Sequence, residues 1–416
     1  MNEILEKIGT KAKSAETLMA AASSATKNGA LKEIAAALLE NSDDIISANG
    51  KDLENADKNG MTAAMKERLM LNSERIEGIA KAVGEITALP DPVGKVTGGG
   101  ALPNGLKLTK ITVPLGVIAI IYESRPNVTA DAAALALKSG NAVILKGGQE
   151  AINSNIAIVN IIRAAIAKTG LPEDAVSLLE DCSRETAAEL MKLNKYVDVL
   201  IPRGGAGLIN AVVQNSTVPV IETGAGNCHV YVDESADIEM AADIVFNAKT
   251  SRPSVCNACE TLLLHKGIAE TALIRIKERL DEKNVEIRGD EAVCAVIPGC
   301  TPAVDDDFYT EYSDYIIAAK VVASPDEAIA HINKYSTKHS DAIVTEDYAS
   351  AEKFAQGVDS AAVYINASTR FTDGGVFGFG AEIGISTQKL HARGPVGLPE
   401  LVSYKYIIRG NGQVRL

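Results

Sequence analysis

At 416 residues the chain is too long for one ordinary core, so two domains with an appendage are expected. Hydrophobic residues make up 46% and charged residues 23%, with aromatics at 4% and no Trp, so the core has to be built from Ala, Val, Ile and Leu. A net charge of −13 without a basic block argues against a nucleic-acid partner, and the lack of any run of about 18 apolar residues argues against a membrane span.

Residues 1 to about 90 predict helices, because Ala, Leu, Ile and Met recur at spacings of three and four between the breaks at Gly50, Gly60 and Pro90. Thr97-Gly98-Gly99-Gly100 then breaks the pattern, and 106–113 alternates like a half-exposed strand. From Gly116 the rhythm becomes short apolar strands with helices between them: strands at 116–122, 142–145, 176–179, 197–201 and 218–221, helices at 130–138 and 151–168. Such a series predicts a doubly wound parallel sheet, which binds ligands beyond the carboxyl ends of its strands. A second α/β series follows from about 228 to 390, with strands near 229–233, 260–265, 315–322, 341–345 and 362–365. The tail from Leu401 to Ile408 alternates again, and with 106–113 it reads as an arm that adds to a neighbouring subunit's sheet edge or, alternatively, as an intrachain edge strand.

The six cysteines (Cys182, Cys228, Cys256, Cys259, Cys294, Cys300) are too sparse for a disulfide framework, and Met1 to Lys13 mixes Glu and Lys without an apolar stretch, so no signal peptide is expected there. A cytoplasmic location is expected. Cys182, Cys294 and Cys300 read as small buried hydrophobes. Cys256 differs: polar and small residues surround it, and Lys249 and Arg252 precede it, a setting that favours the nucleophilic thiolate. The CxxC-like Cys256-Asn257-Ala258-Cys259 invites a redox or zinc reading, but zinc would need a second pair at similar spacing, so no metal is expected.

Further candidates sit where strands are expected to end. In Tyr122-Glu123-Ser124-Arg125-Pro126-Asn127 an amide could meet an oxyanion, though Asn127 or Thr129 could equally cap the next helix. Lys146-Gly147-Gly148-Gln149 puts a lysine and two glycines at a strand end, and Gly204-Gly205-Ala206-Gly207 opens a helix whose amino end suits a pyrophosphate. Glu222 is followed by Gly224 and Gly226, glycines that permit close approach of backbone to a ligand. Each signal alone is weak; their order suggests a dinucleotide site feeding a cysteine.

The segments IYESRPNVTADAAALALKSGNAVILKGGQEA (121–151), SRPSVCNACET (251–261), VASPDEAIAHINKYSTKHSDAIV (322–344) and FGFGAEIGISTQKLHARGPVGLPELVSYKY (377–406) resemble the aldehyde dehydrogenase superfamily, and within it the branch that reduces an acyl phosphate of glutamate. The resemblance covers nearly the whole chain. It implies an aldehyde dehydrogenase-like α/β fold with two doubly wound parallel-sheet domains plus a β-arm for oligomerisation. Residues 1–105 and 114–227 would be the cofactor-binding domain with its N-terminal helices, 228–395 the catalytic domain, and 106–113 with 400–416 the arm.

Carried over by position, the resemblance makes Cys256 the nucleophile and Asn127 the oxyanion donor. Arg125 departs from the superfamily's Pro-Trp-Asn pattern and suits a charged substrate. Lys146, Gly204 and Gly205 would hold the cofactor. Gln149, where NAD-preferring members often carry Glu, points to NADP. Glu222 matches the water-activating Glu of hydrolytic members; an acyl-phosphate reductase must not hydrolyse its thioester, so orienting the nicotinamide or Cys256 is its alternative role. The element that holds the nicotinamide ribose in hydrolytic members has no clear match, Glu311 being a poor one. Arg125, Arg252 and Arg393 are candidates for substrate phosphate or carboxylate. The implied reaction is NADPH-dependent reduction of L-glutamyl 5-phosphate to L-glutamate 5-semialdehyde in proline biosynthesis, by a homodimer or homotetramer, with a contact to the glutamate 5-kinase that makes the acyl phosphate left open. A hydrolytic NAD(P)-dependent aldehyde dehydrogenase is the alternative enzyme, and a binding protein without chemistry the alternative class.

Overall fold

The computed structural model describes residues 3–415; positions 1, 2 and 416, at the ends of the expected segments 1–105 and 400–416, lie outside the described residues. Five helices come first, Glu3–Ala21, Ser24–Glu40, Ser42–Lys58, Ala63–Leu69 and Ser73–Ile86. The side-chain oxygens of Ser23, Thr62 and Asn72 accept orphan N–H groups at three of their amino ends.

Strand β1 (Val96–Ala101) contains the glycines expected only to break the pattern. It pairs antiparallel with β2 (Lys107–Pro114), and a Cβ on Gly99 would lie 2.3 Å from the Leu108 carbonyl oxygen. Glycine is what lets these two backbones meet. Four parallel strands follow: β3 (Val117–Tyr122), β4 (Ala142–Lys146), β5 (Val176–Leu178) and β6 (Val199–Arg203), in the order β5-β4-β3-β6. Every residue of β3 and β4 is buried, as an apolar strand covered on both faces must be. The strand expected at 218–221 reduces to a single bridge between Leu200 and Val220, because Pro219 has no N–H to continue a ladder.

A seven-stranded sheet comes next, built from β7 (Cys228–Val232), β8 (Cys259–His265), β9 (Glu286–Gly289), β10 (Thr301–Pro302), β11 (Ile316–Val322), β12 (Ser340–Val344) and β13 (Ala362–Ile365), in the order β10-β9-β11-β8-β7-β12-β13. All its pairs are parallel. Alternate residues divide its two faces: Val230, Val232, Leu262 and Leu264 enter one apolar cluster, Tyr231, Leu263 and Ile343 the other. Strands β9 and β10 escape the sequence pattern because β9 is Glu-Ile-Arg-Gly and β10 only two residues long. A short antiparallel pair, β14 (Ile385–Ser386) and β15 (Gly394–Pro395), precedes the tail strand β16 (Val402–Arg409). Strand β16 pairs residue for residue with β2, from Val402 opposite Pro114 to Arg409 opposite Lys107, so β1, β2 and β16 form one intrachain sheet.

The chain forms two compact units, the first containing residues 1–223, 378–384 and 396–416, the second 224–377 and 385–395. The sequence reading carries the second domain unbroken from 228 to 395; residues 378–384 instead group with the first unit, through contacts such as Ile383 N–H to the Val396 carbonyl at 3.0 Å. Among the described residues no helix is long and apolar enough to cross a membrane.

Candidate active site

In the first unit, three expected segments stand at the carboxyl ends of the neighbouring parallel strands β4, β3 and β6. At the end of β4, Lys146 is buried and its Nζ donates to the Cys182 carbonyl at 3.1 Å, while Gln149 is exposed. Cys182 is half-buried rather than buried, and burial pushes its thiol up.

After β3, neither Asn127 nor Thr129 caps the following helix Asn127–Lys138; Pro126 holds the cap position without a side-chain bond. Thr129 Oγ1 lies 2.8 Å from Asn155 Oδ1 and 2.7 Å from the Tyr122 hydroxyl. The Asn127 amide instead donates to Asp131 Oδ2 at 3.0 Å, one helical turn on. That bond fixes which end of the amide is the donor and leaves its second N–H for another acceptor. Burial pushes the Asp131 carboxyl up to about 6, against the smaller opposing influence of the Asn127 bond and of Arg203.

After β6, Gly205 precedes the helix Ala206–Asn215, and its N–H is engaged by the Glu123 carboxylate at 2.8 Å. A Cβ on Gly204 would come within 2.5 Å of the same carboxylate oxygen. The amino end of this helix therefore holds a carboxylate of the chain itself, at the place where a pyrophosphate is expected. Nothing in the local sequence marks Glu123 as the occupant of this helix end. Arg125 and Glu222 are both half-buried members of this unit.

Cys228, Cys256 and Cys259 gather in the second unit, at the amino ends of β7 and β8, where the carboxyl-end rule gives no warning. Cys256 lies in the turn between the helix Ile238–Thr250 and β8, half-exposed and not disulfide-bonded. Its backbone packs on Gly226, and its carbonyl accepts from the Cys228 thiol at 3.3 Å. The glycines after Glu222 thus serve packing within the chain: a Cβ on Gly226 would meet Cys256, and one on Gly224 would meet Thr387 at 2.6 Å. Cys228 and Cys259 are fully buried; burial holds the Cys228 thiol well above its ordinary value and pushes Cys259 up to about 12.

The neighbouring cations divide differently from the sequence expectation. Lys249 turns away into the core, where its Nζ meets Glu260 Oε2 at 2.6 Å with both side chains buried. Burial pushes Glu260 up to about 7, with Lys249 drawing it back. Arg252 is exposed. Arg393 is paired with Asp359 at 2.8 Å, and Lys338 and Lys389 share that carboxylate.

The cation that adjoins the Cys256 loop is Arg370, which sequence reasoning missed. Its Nε donates to Ser251 Oγ at 2.9 Å and its Nη1 to Asn257 Oδ1, so it grips the loop on both sides of Cys256. Asn257 returns bonds to the Arg370 and Thr372 carbonyls at 3.2 and 3.0 Å, and Thr369 Oγ1 donates to the Asn257 carbonyl at 2.7 Å. Burial lowers the Arg370 guanidinium, the neighbouring charge of Arg252 lowers it further, and Cys256 acts in the opposite sense.

Cys294 and Cys300, expected as inert hydrophobes, are half-buried and joined as a disulfide, because the turn between the helix Glu291–Val296 and β10 brings them together. Among the described residues no group of three or more His, Cys, Asp or Glu side chains is arranged to hold a metal ion.

The fold of this chain has many counterparts among solved structures. Residues 2–304 match the model of the Aldehyde dehydrogenase family, and the chain belongs to that family. A gamma-glutamyl phosphate reductase of Clostridium perfringens is 59% identical over 414 residues, covering 100% of both chains. One from Carboxydothermus hydrogenoformans is 58% identical over 415 residues, again covering 100% of both. The crystal structure of gamma-glutamyl phosphate reductase from Thermotoga maritima superposes with a TM-score of 0.97 at 50% identity, over 99% of this chain and 100% of that one. Within the family, the chain groups with the gamma-glutamyl phosphate reductases.

Proposed function

We propose that this chain reduces L-glutamyl 5-phosphate to L-glutamate 5-semialdehyde and phosphate, with NADPH as reductant, as a step of proline biosynthesis. The observation that carries the reading is Cys256, half-exposed in a turn gripped on both sides by a guanidinium, in a chain 59% identical to a gamma-glutamyl phosphate reductase. Thiolate Cys256 attacks the 5-acyl carbon, the C–S bond forms, and phosphate leaves as the better leaving group. The Asn127 N–H not engaged by Asp131 is the donor proposed for the oxyanion. Once the thioester has been reduced, the thiohemiacetal on Cys256 collapses and the thiolate departs, so one hard reduction is divided into two easier steps. Glu222 orients the nucleophile or the reductant and does not activate water.

A reduced nicotinamide dinucleotide supplies the hydride when bound. Lys146, Gln149, Gly204 and Gly205 are the residues proposed to hold it, and Gln149 favours NADP because it adds no charge against a 2′-phosphate. The donor set suits an anion, since the Gly205 N–H already takes a carboxylate. A diphosphate there has to displace Glu123. Glu123→Gln is therefore expected to tighten NADPH binding about threefold or more, by removing the competing charge from the helix end. Fluorescence titration of NADPH reads this directly; unchanged or weaker binding would show that Glu123 does not compete.

The sheet of β1, β2 and β16 carries Tyr404, Tyr406 and Ile408, each about half exposed at 53%, 52% and 57%, and is the proposed contact for a homo-oligomer in the cytoplasm. Handover from the glutamate 5-kinase would spare the labile acyl phosphate from water.

The test of the reaction is oxidation of glutamate 5-semialdehyde with NADP, run with and without inorganic phosphate. Phosphate should be required, because it is the acceptor of the thioester in this direction. Equal rates without it would assign the chain to the hydrolytic enzymes instead.

A further inference from the structure

Arg370 differs in its company from several arginines of the chain. Arg163, Arg275, Arg288 and Arg393 are each paired with a carboxylate, at 2.8, 2.8, 3.0 and 2.8 Å. Arg370 is half-buried, yet among the described residues the side chains it bonds are the neutral Ser251 and Asn257. Withdrawing a guanidinium from water is costly; the Asp373 charge acts on it without a direct bond, so a directly bound anion would complete the site. The two bonds use Nε and one N–H of Nη1, and leave the remaining N–H donors without an acceptor among the described residues. Because the anchors are Ser251 and Asn257, the orientation of the fork is fixed relative to the turn that carries Cys256. Arg252, exposed on the same turn, adds a second positive charge that the Arg370 guanidinium senses.

We propose that Arg370, assisted by Arg252, is the seat for the phosphoryl group exchanged at Cys256: it receives the phosphate that leaves the acyl carbon and holds inorganic phosphate for the reverse step. The inference rests on the proposed acyl-phosphate chemistry and names the group that manages its anion. In the reverse direction an oxygen of hydrogen phosphate attacks the thioester carbonyl. The new C–O bond forms as the C–S bond breaks, the sulfur leaves with its electron pair, and the proton of hydrogen phosphate passes to it. No oxidant or further reactant enters this step. A planar, permanently charged fork suits the task, since it can hold two phosphate oxygens at once and lower the repulsion between a dianion and the departing thiolate.

The experiment is steady-state semialdehyde oxidation by the full chain, with inorganic phosphate as the varied substrate, on wild type, Arg370→Gln, Arg370→Lys and Arg252→Ala. The seat predicts that Arg370→Gln raises the phosphate KM about tenfold or more, with the semialdehyde and NADP KM values within about twofold of wild type. Arg370→Lys should fall between, because it keeps the charge and loses the fork, and Arg252→Ala should raise the phosphate KM by a smaller factor. Phosphate should also slow iodoacetamide alkylation of Cys256 in wild type and fail to do so in Arg370→Gln, a readout that needs no turnover. A phosphate KM that stays put, or one that rises only in step with the other two, would reduce Arg370 to a brace of the loop and overturn the proposal. If Arg370→Gln does not fold, Arg370→Lys and the exposed Arg252→Ala carry the same comparison. A wild type that needs no phosphate removes the underlying reaction; a phosphate-dependent wild type whose variants keep its phosphate KM removes only the seat.

Discussion

Cys256→Ala is expected to lower semialdehyde turnover by about 10⁴-fold or more, while NADPH binding and Tm stay near wild type. The proposed covalent route has no agent without this sulfur, and no neighbouring thiol can replace it. Cys228 and Cys259 are within the same structural layer, but both are fully buried and both thiols are held in the protonated form by that burial. A thiol pushed up to about 12 supplies almost no thiolate at neutral pH. Cys228 is also committed to the Cys256 carbonyl, a supporting bond rather than a reactive one. Cys259→Ala and Cys228→Ala should accordingly keep most of the turnover. Alkylation with iodoacetamide, mapped by mass spectrometry on the native chain, should mark Cys256 ahead of both. A Cys256→Ala variant that still turns over at a substantial fraction of the wild-type rate would remove the thioester from the reaction.

Much of this arrangement is legible in the residues, and what is not has identifiable causes. Runs such as Val-Ile-Ala-Ile-Ile-Tyr at β3 can only be strands buried on both faces, and the structure buries all six residues. The three loops of the first unit follow from the same logic, because strand ends of a parallel sheet converge. That rule fails for Cys256, which stands where β8 begins; the sequence signal there is the small polar surroundings of the cysteine, not its place on a strand. Lys249 shows the limit of proximity in sequence. It is seven positions from Cys256, yet a buried carboxylate at Glu260 claims its charge. Arg370 shows the converse: its partner Asn257 is 113 positions away, so only the folded chain brings it to the loop. The glycines of β1 mislead for a related reason, since their role, close passage of β1 over β2, depends on a partner that local pattern does not reveal.

Although residue 226 carries no chemistry, Gly226→Ala should also lower turnover strongly, though less than loss of the sulfur itself. A Cβ there would lie 1.4 Å from the Cys256 carbonyl oxygen, 2.2 Å from its carbonyl carbon and 2.5 Å from its Cα. These are backbone atoms, so no rotamer change can relieve the conflict, and the turn that presents the thiol has to move. It cannot move alone, because Asn257 is bonded to residues 369, 370 and 372, and Arg370 to Ser251. The misfit should cost about 1–3 kcal/mol of stability. A displacement of the sulfur by about 1 Å should cost about 10²-fold in kcat. The variant should also lose the selective alkylation of Cys256, since the same turn exposes that thiol. Gly29→Ala, in the helix Ser24–Glu40 with nothing within 4 Å of its added carbon, is the matched control and should be neutral or gain about 0.5–1 kcal/mol. Wild-type kcat and alkylation in Gly226→Ala would mean that the Cys256 turn tolerates displacement, and that its close backing by the Gly226 segment does not position the nucleophile.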